Sequence, residues 1–363
     1  MRIFGKEGAL SGLLQTGPIS SSAPCRIDMG GTLDIRSLYL ALGYLCPATV
    51  NMALSLRTRV TLFPFEPGMI QVSSKGFDSA AFPLDSVPFH HPLGLMFAVA
   101  AYFRAEGVHV RIESSSPPRS ALGGSSVAAV ALVAALDAAL VRVEGTSALD
   151  RTRIALLAHA LEESVAGVPC GTQDQLAAAF GGVNAWYWKA DPGGRPFERT
   201  ALLDSDALKP LSERLLVAYC GIPHESKDVN SRWVSQFLSG ETRDRWQDIV
   251  KQVHRFQAAL GRMDLPEAID AMEREMTHRR QMTPDVLDDM GMRLATAAGT
   301  CGCGARIAGA GAGGCIWALG EPERISRLRP LWRDILGTRR GARLLDTAID
   351  PAGVRIDSLG NRV

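Results

Sequence analysis

Residues 117–129, PPRSALGGSSVAA, place small side chains and two hydroxyls between a segment that reads as a strand and one that reads as a helix. Where side chains are this small, backbone N–H groups can close on an anion, and a helix N-terminus adds roughly half a positive charge. Ser125 and Ser126 stand where a hydroxyl could reach a Mg2+ bound to a phosphate. The plainer alternative is an unliganded turn with an N-cap serine. A Walker A loop is excluded, because no lysine precedes the helix. A second stretch, GAGAGG (309–314), satisfies G-x-G-x-x-G through Gly309, Gly311 and Gly314. A dinucleotide fingerprint would have to open a helix, yet CIWAL follows and reads as a strand, and residues 315–363 are too few for such a domain. We read a hairpin-like loop whose glycines let another backbone approach. Cys301-Gly302-Cys303 lacks the two-to-four-residue spacing and the second pair of a zinc site.

The elements that must hold these loops follow from periodicity. Alternating or short apolar runs predict strands over 48–65 and 69–74, a helix over 92–107 stopped by Gly107, with His90-His91 as its polar start, and a strand over 108–115. The Ala-rich run 127–141 predicts a buried helix with a serine at its N-cap; it carries Asp137 and falls short of the roughly 20 residues that span a bilayer. A helix over 150–166, a turn and short helix from 167 to 182, and a strand VNAWYWKA follow. Beyond the polar, Pro-bearing stretch at 190–212 come a strand at 215–221, helices over 228–239, 242–261, 265–276 and 284–298, the glycine loop with its strand, a helix PERISRLRPLWRDIL and a last strand near 342–347. This divides the chain into a loose lead-in (1–22) and two domains (23–205 and 206–363).

Composition narrows the partners. With 39 Lys+Arg against 38 Asp+Glu, the chain has no basic excess to hold nucleic acid, and 46% hydrophobic content is that of an ordinary globular protein. Seven scattered cysteines fit free thiols in a reducing compartment. No signal-peptide core is visible, so a cytoplasmic protein without a membrane partner is expected, as a monomer or homodimer.

Three motifs in order resemble the GHMP kinases, the small-molecule kinases that include galactokinase, homoserine kinase, mevalonate kinase and heptose kinases. APCRIDMGGTLD (23–34) is similar to their N-terminal segment, PPRSALGGSSVAA to their phosphate loop and ARIAGAGAGGCIWAL (305–319) to their C-terminal glycine loop. Within the family, GVPCGTQDQLAAAFGG (167–182) looks most like D-glycero-D-manno-heptose 7-phosphate kinases, with V-P-C-G closer to galactokinases. Arg119, Ala121 and Gly124 depart from the pattern, where Gly, Gly and Ser are usual.

The resemblance implies an α+β, two-domain fold: an N-terminal domain like ribosomal protein S5 and a C-terminal ferredoxin-like α/β sandwich. It implies Asp174 as the catalytic carboxylate, with N-capping of the following helix as the bland alternative. Arg26 would stabilise charge at the acceptor oxygen, the alternative being a surface ion pair. Pro118, Ser120, Ala121, Leu122, Gly123, Gly124, Ser125 and Ser126 would hold ATP. Ser125, or Ser126, and Glu162, or Glu163, would bind Mg2+. Asp34, Thr32, Gly171, Gln173 and Tyr219 are assigned to the substrate, and Gly309, Gly311 and Gly313 to packing against it and the phosphate loop; His224 reads as an exposed or satisfied histidine, with contact to an acceptor phosphate as the alternative. The implied activity is an ATP- and Mg2+-dependent sugar kinase, with a heptose 7-phosphate phosphorylated at its anomeric hydroxyl as the leading acceptor. A galactokinase- or fucokinase-like enzyme for an unphosphorylated sugar and a catalytically silent sugar- and ATP-binding paralogue with a regulatory role are the alternatives.

Overall fold

The computed structural model describes residues 3–191, 194–223 and 226–357. The chain begins with α1 (Ala9–Gln15), β1 (Ile19–Met29), α2 (Arg36–Tyr39), β2 (Ala48–Pro64), β3 (Met69–Ser74), β4 (Ala80–Pro83), α3 (Gly94–Tyr102) and β5 (Val108–Ser114). Next come α4 (Gly124–Glu144), α5 (Arg151–Ala166), α6 (Gln173–Phe180), β6 (Val183–Trp188) and β7 (Phe197–Ala201). The remainder is α7 (Ser205–Ser212), β8 (Leu215–Tyr219), α8 (Ser226–Leu238), α9 (Arg243–Gly261), α10 (Leu265–Met282), α11 (Asp289–Thr300), β9 (Gly304–Ile307), β10 (Cys315–Leu319), α12 (Pro322–Gly337), β11 (Arg343–Leu345) and β12 (Arg355–Asp357).

The first sheet is ordered β12-β1-β2-β5-β3-β4, with β6 and β7 attached beside β2. It hangs on the long strand β2. One edge of β2 pairs with β1 from Val50 to Leu62; the other takes β6 over Ala48–Met52 and β5 over Thr58–Pro64. Its side chains record this: Ala48–Leu54 are buried throughout, whereas Ser55–Val60 alternate between water and core, as a half-covered strand must. Against β1 and β2 lies α4, whose alanines let helix and sheet backbones approach closely. At 21 residues it is longer than the apolar run suggests and passes a bilayer-span test by length and composition, yet 78% of its most apolar window is buried inside the protein.

The second sheet, β11-β8-β10-β9, is antiparallel. Alternation sends Leu216, Ala218, Ile316 and Ala318 into a core with α11 and α12, and Val217, Trp317 and Leu319 into the main core shared with the first sheet. The ends of the chain correct two expectations. The described part of the expected lead-in, residues 3–22, is not loose: Ala9–Gln15 is helical, with Leu10 and Leu14 buried, and β1 starts at Ile19. Nor does the C-terminus stay with the second sheet, since β12 pairs with β1 through Ser20–Asp357 and Ile349 bridges to Leu54.

Candidate active site

Residues two apart on a strand share a face, so β1 presents Arg26 and Asp28 together. Arg26 Nε and Nη2 each donate to Asp174 Oδ1 at 2.7 Å, and Nη1 donates to the Ala121 carbonyl at 2.6 Å and lies 3.4 Å from Asp28 Oδ1. At 4% exposure Arg26 is no surface ion pair. Burial opposes its charge, but Asp174 and Asp28 outweigh burial and raise its pKa. Asp174 is the second residue of α6 and Thr172 occupies the N-cap position, so the aspartate does not cap. It faces Arg26 and borders a cavity of about 500 Å3.

The phosphate loop ends in a left-handed Gly123, and α4 starts at Gly124. Ser125 and Ser126 therefore occupy the first helical turn and not the expected N-cap. The first N–H groups of a helix have no partner within it, so this turn presents donors to the cavity. The Ser125 hydroxyl donates to Glu162 Oε1 at 2.9 Å, and Ser126 and the Gln175 amide donate to Oε2, each at 2.7 Å. Both serines thus face one carboxylate, and it belongs to Glu162, not Glu163. Burial raises the pKa of Glu162, the serine hydrogen bonds pull the other way, and Asp174 adds to the rise.

Asp34, also on the cavity, is 4% exposed and accepts from the Gln173 N–H at 2.9 Å. Burial pushes its carboxyl up to about 7, against the pull of that hydrogen bond. A Cβ on Gly171 would lie 1.7 Å from Asp34 Oδ2, so only glycine fits there. Thr32, in a left-handed conformation at φ 81°, points its hydroxyl at Asn230 Oδ1, 3.4 Å away. Pro118, Ser120, Ala121, Gly123, Gly124, Gln173 and Gly309 complete the expected residues on this cavity.

Four expected residues do not line it. Leu122 is fully buried and contributes its carbonyl, which accepts from the Arg26 N–H at 3.2 Å. Tyr219 is largely buried at the end of β8 beneath the Arg343 guanidinium, 5.9 Å from its ring centre. Gly311 and Gly313 lie against the carbonyls of Val286 and Pro223, while Gly309 and the unassigned Gly314 meet the phosphate loop. A Cβ at Gly314 would stand 2.8 Å from the Ser120 carbonyl, which is the backbone approach the glycine loop implied. His224 lies outside the described residues.

The sequence reading also missed a buried ionic cluster behind the site. Arg306 donates to Asp28 Oδ2 at 3.0 Å and to both oxygens of Glu275 at 3.0 and 3.1 Å. Arg279 donates to Glu275 at 2.5 Å and to the Gly31 carbonyl at 2.6 Å. Asp28 Oδ1 also accepts from the Gly309 N–H at 2.7 Å, so one aspartate ties β1, the glycine loop and β9 together. The signals were available: an i,i+4 Glu275–Arg279 pair, and an arginine inside the apolar GARIAGAG.

A divalent cation fits this face. Glu162, Asp174 and Asp34 border the cavity, and the buried guanidinium among them is Arg26, already engaged with Asp174. Gln175 Oε1 is buried beside Glu162 without a partner among the described residues, an acceptor suited to a metal-bound water. Serine and carboxylate oxygens are the hard ligands Mg2+ selects.

Residues 93–182 match the family model of the GHMP kinases N terminal domain. The chain is 24% identical over 370 residues to a mevalonate kinase of Thermococcus gammatolerans, covering 94% of this chain and 99% of that one. It is also 24% identical over 212 residues to a D-glycero-alpha-D-manno-heptose 7-phosphate kinase of Campylobacter jejuni, covering 58% and 60%. Lactococcus lactis galactokinase complexed with galactose superposes with a TM-score of 0.70 at 16% identity, over 95% of this chain and 99% of that one. Residues 93–182, from α3 to α6 with the phosphate loop between them, are a GHMP kinase N-terminal domain, and the two-sheet fold that carries them is the fold of the GHMP kinases.

Proposed function

We propose that this chain is an ATP-dependent phosphotransferase that moves the γ-phosphate to a hydroxyl of a sugar-like polyol. The observation that carries the reading is the convergence of α4, α5, α6 and β1 on one cavity, with Ser125, Ser126 and Glu162 beside Asp174 and Arg26. Phosphoryl transfer needs in-line positioning and neutralised charge more than covalent chemistry. The N–H groups of the first turn of α4 would cradle the phosphates. Ser125, Ser126 and Glu162 would hold Mg2+, which supplies charge neutralisation at the phosphates when bound. Asp174, with one oxygen fixed by Arg26, would accept the proton of the acceptor hydroxyl, and Arg26 would stabilise charge growing on that oxygen.

Asp34, Thr32, Gln173 and Asn230 border the cavity and are groups that hydrogen-bond to the hydroxyls of a polyol. A buried carboxyl raised to about 7 can both donate to and accept from sugar hydroxyls near neutrality. Within that class the finer proposal is a heptose 7-phosphate phosphorylated at its anomeric hydroxyl, with Arg343 on the cavity rim as the cation an acceptor phosphate would meet. A coupled ADP-release assay over heptose 7-phosphate, galactose, fucose and mevalonate tests this. Turnover that requires the 7-phosphate supports the finer proposal, and turnover with a free sugar supports a galactokinase-like enzyme. Turnover with mevalonate alone overturns the polyol reading, and no turnover with any acceptor, alongside nucleotide binding, leaves the silent paralogue.

A further inference from the structure

The phosphate loop keeps its shape at two positions that are not glycine. Arg119 has φ 51° and Ala121 φ 63°, left-handed conformations that L side chains adopt only at a cost. At Ala121 the carbonyl is tied down by Arg26. At Arg119 no hydrogen bond or ion pair is present among the described residues; its side chain is exposed and borders the cavity. An exposed arginine held left-handed, without a partner among the described residues, is free to meet a ligand in the cavity. A second cation stands close by. Lys75, in the turn between β3 and β4, is also exposed, also borders the cavity and also has no partner among the described residues. Its neighbour Gly76 rests against the Pro118 ring, where a Cβ would lie 3.4 Å from Cγ, so the two cations come from loops in mutual contact. The acceptor groups come instead from the turn after β1, the start of α6 and, through Asn230, α8.

We propose that Arg119 and Lys75 form a cationic clamp on the nucleotide's phosphate chain, so that this chain selects among nucleotides by phosphate charge. The inference rests on the kinase reading above and adds to it a residue position, Arg119, where that family's pattern has glycine. The clamp makes affinity climb from nucleoside monophosphate to triphosphate and fall with salt, because each exposed contact is Coulombic.

The test uses the full chain and measures the Kd of AMP, ADP and a non-hydrolysable ATP analogue at increasing NaCl. Arg119→Gly removes the guanidinium and places at φ 51° the residue that tolerates it. The expected result is an affinity for the triphosphate about tenfold weaker, the scale of one hydrogen bond to a charged group. AMP affinity should change less than about twofold and the salt dependence should flatten, as the lost interaction is charge–charge. The melting temperature of the free protein should be equal or higher, so the loss cannot be attributed to unfolding. Lys75→Ala lowers triphosphate affinity in the same sense, and Arg119→Lys restores part of it. If the parent binds the analogue and Arg119→Gly binds it equally well at low salt, the clamp is overturned and the kinase reading stands. If the parent binds no nucleotide, both fall.

Discussion

Two glutamates in this molecule, one fully buried and one half-buried on the cavity wall, keep opposite company. Glu275 is fully buried and receives Arg279 and Arg306; burial works against its charge, but the two guanidiniums win and lower its pKa. Glu162 receives two serines and a glutamine, all neutral, and its pKa is raised. The first belongs to an ionic cluster that joins β1, α10 and β9, in which two guanidiniums balance two carboxylates, although Arg279 Nη1 has no hydrogen-bond partner among the described residues. The second stands on the wall of the open cavity, where its oxygens accept from neutral donors only and no cation is paired with it among the described residues. Burying an ion is tolerated when its partner is built in; where the partner is missing, the site is arranged for something that arrives.

The comparison can be broken most severely at the open side. Asp174→Asn should lower turnover by about 100- to 10,000-fold, the range a positioned proton acceptor contributes, with nucleotide Kd nearly unchanged. Single-turnover kinetics beside a binding titration checks this, and full activity would take Asp174 out of the reaction. On the closed side Arg306→Met leaves Asp28 and Glu275 each short of a cation in the core. Removing one member of a buried pair costs about 3–5 kcal/mol, so denaturant melts should show a loss of that size. A loss below about 1 kcal/mol, the scale of a surface pair, would mean the cluster is open to water.

Smaller changes sharpen the contrast. Glu162→Gln should weaken Mg2+-dependent nucleotide binding by about tenfold, one lost charged ligand, while leaving the metal-free melt intact or higher. Glu275→Gln should do the reverse, destabilising the fold without touching the metal response. The smallest effect is one of pH. Asp34 has a folded pKa of about 7, above the usual carboxylate range, so the folded state holds this proton longer than the unfolded chain. Its penalty to stability is absent below about pH 4, grows as pH rises towards 7 and is complete above that. Asp34→Asn should therefore raise the melting temperature at pH 8 and change it little at pH 4. A gain that is equal at both pH values would show that Asp34 titrates normally.

What could be read from the sequence was local. The strand–loop–helix around 108–144 and the glycine hairpin at 304–319 are each set by a few consecutive residues, and both stand close to their expected places. What escaped was set by distant partners. β1 carries Ser, Pro, Arg and Asp where a buried strand should be apolar, and it is stable there because Arg26 meets Asp174, 148 residues on, and Asp28 meets Arg306, 278 residues on. Tyr219 was assigned to the substrate through the family resemblance, but the register of β8 with β11 sets it beneath Arg343 instead. The serine at the start of α4 was read as a cap because serine prefers that position; the left-handed Gly123 took it, freeing both hydroxyls for Glu162.

The most direct measurement is a crystal structure of the protein with Mg2+ and a non-hydrolysable ATP analogue. The account predicts the terminal phosphates over the turn from Gly123 to Ser126, the metal coordinated by oxygens of Ser125, Ser126 or Glu162, and Asp174 facing the γ-phosphate. A triphosphate bound elsewhere, or a metal that leaves Glu162 with its serines alone, would contradict it.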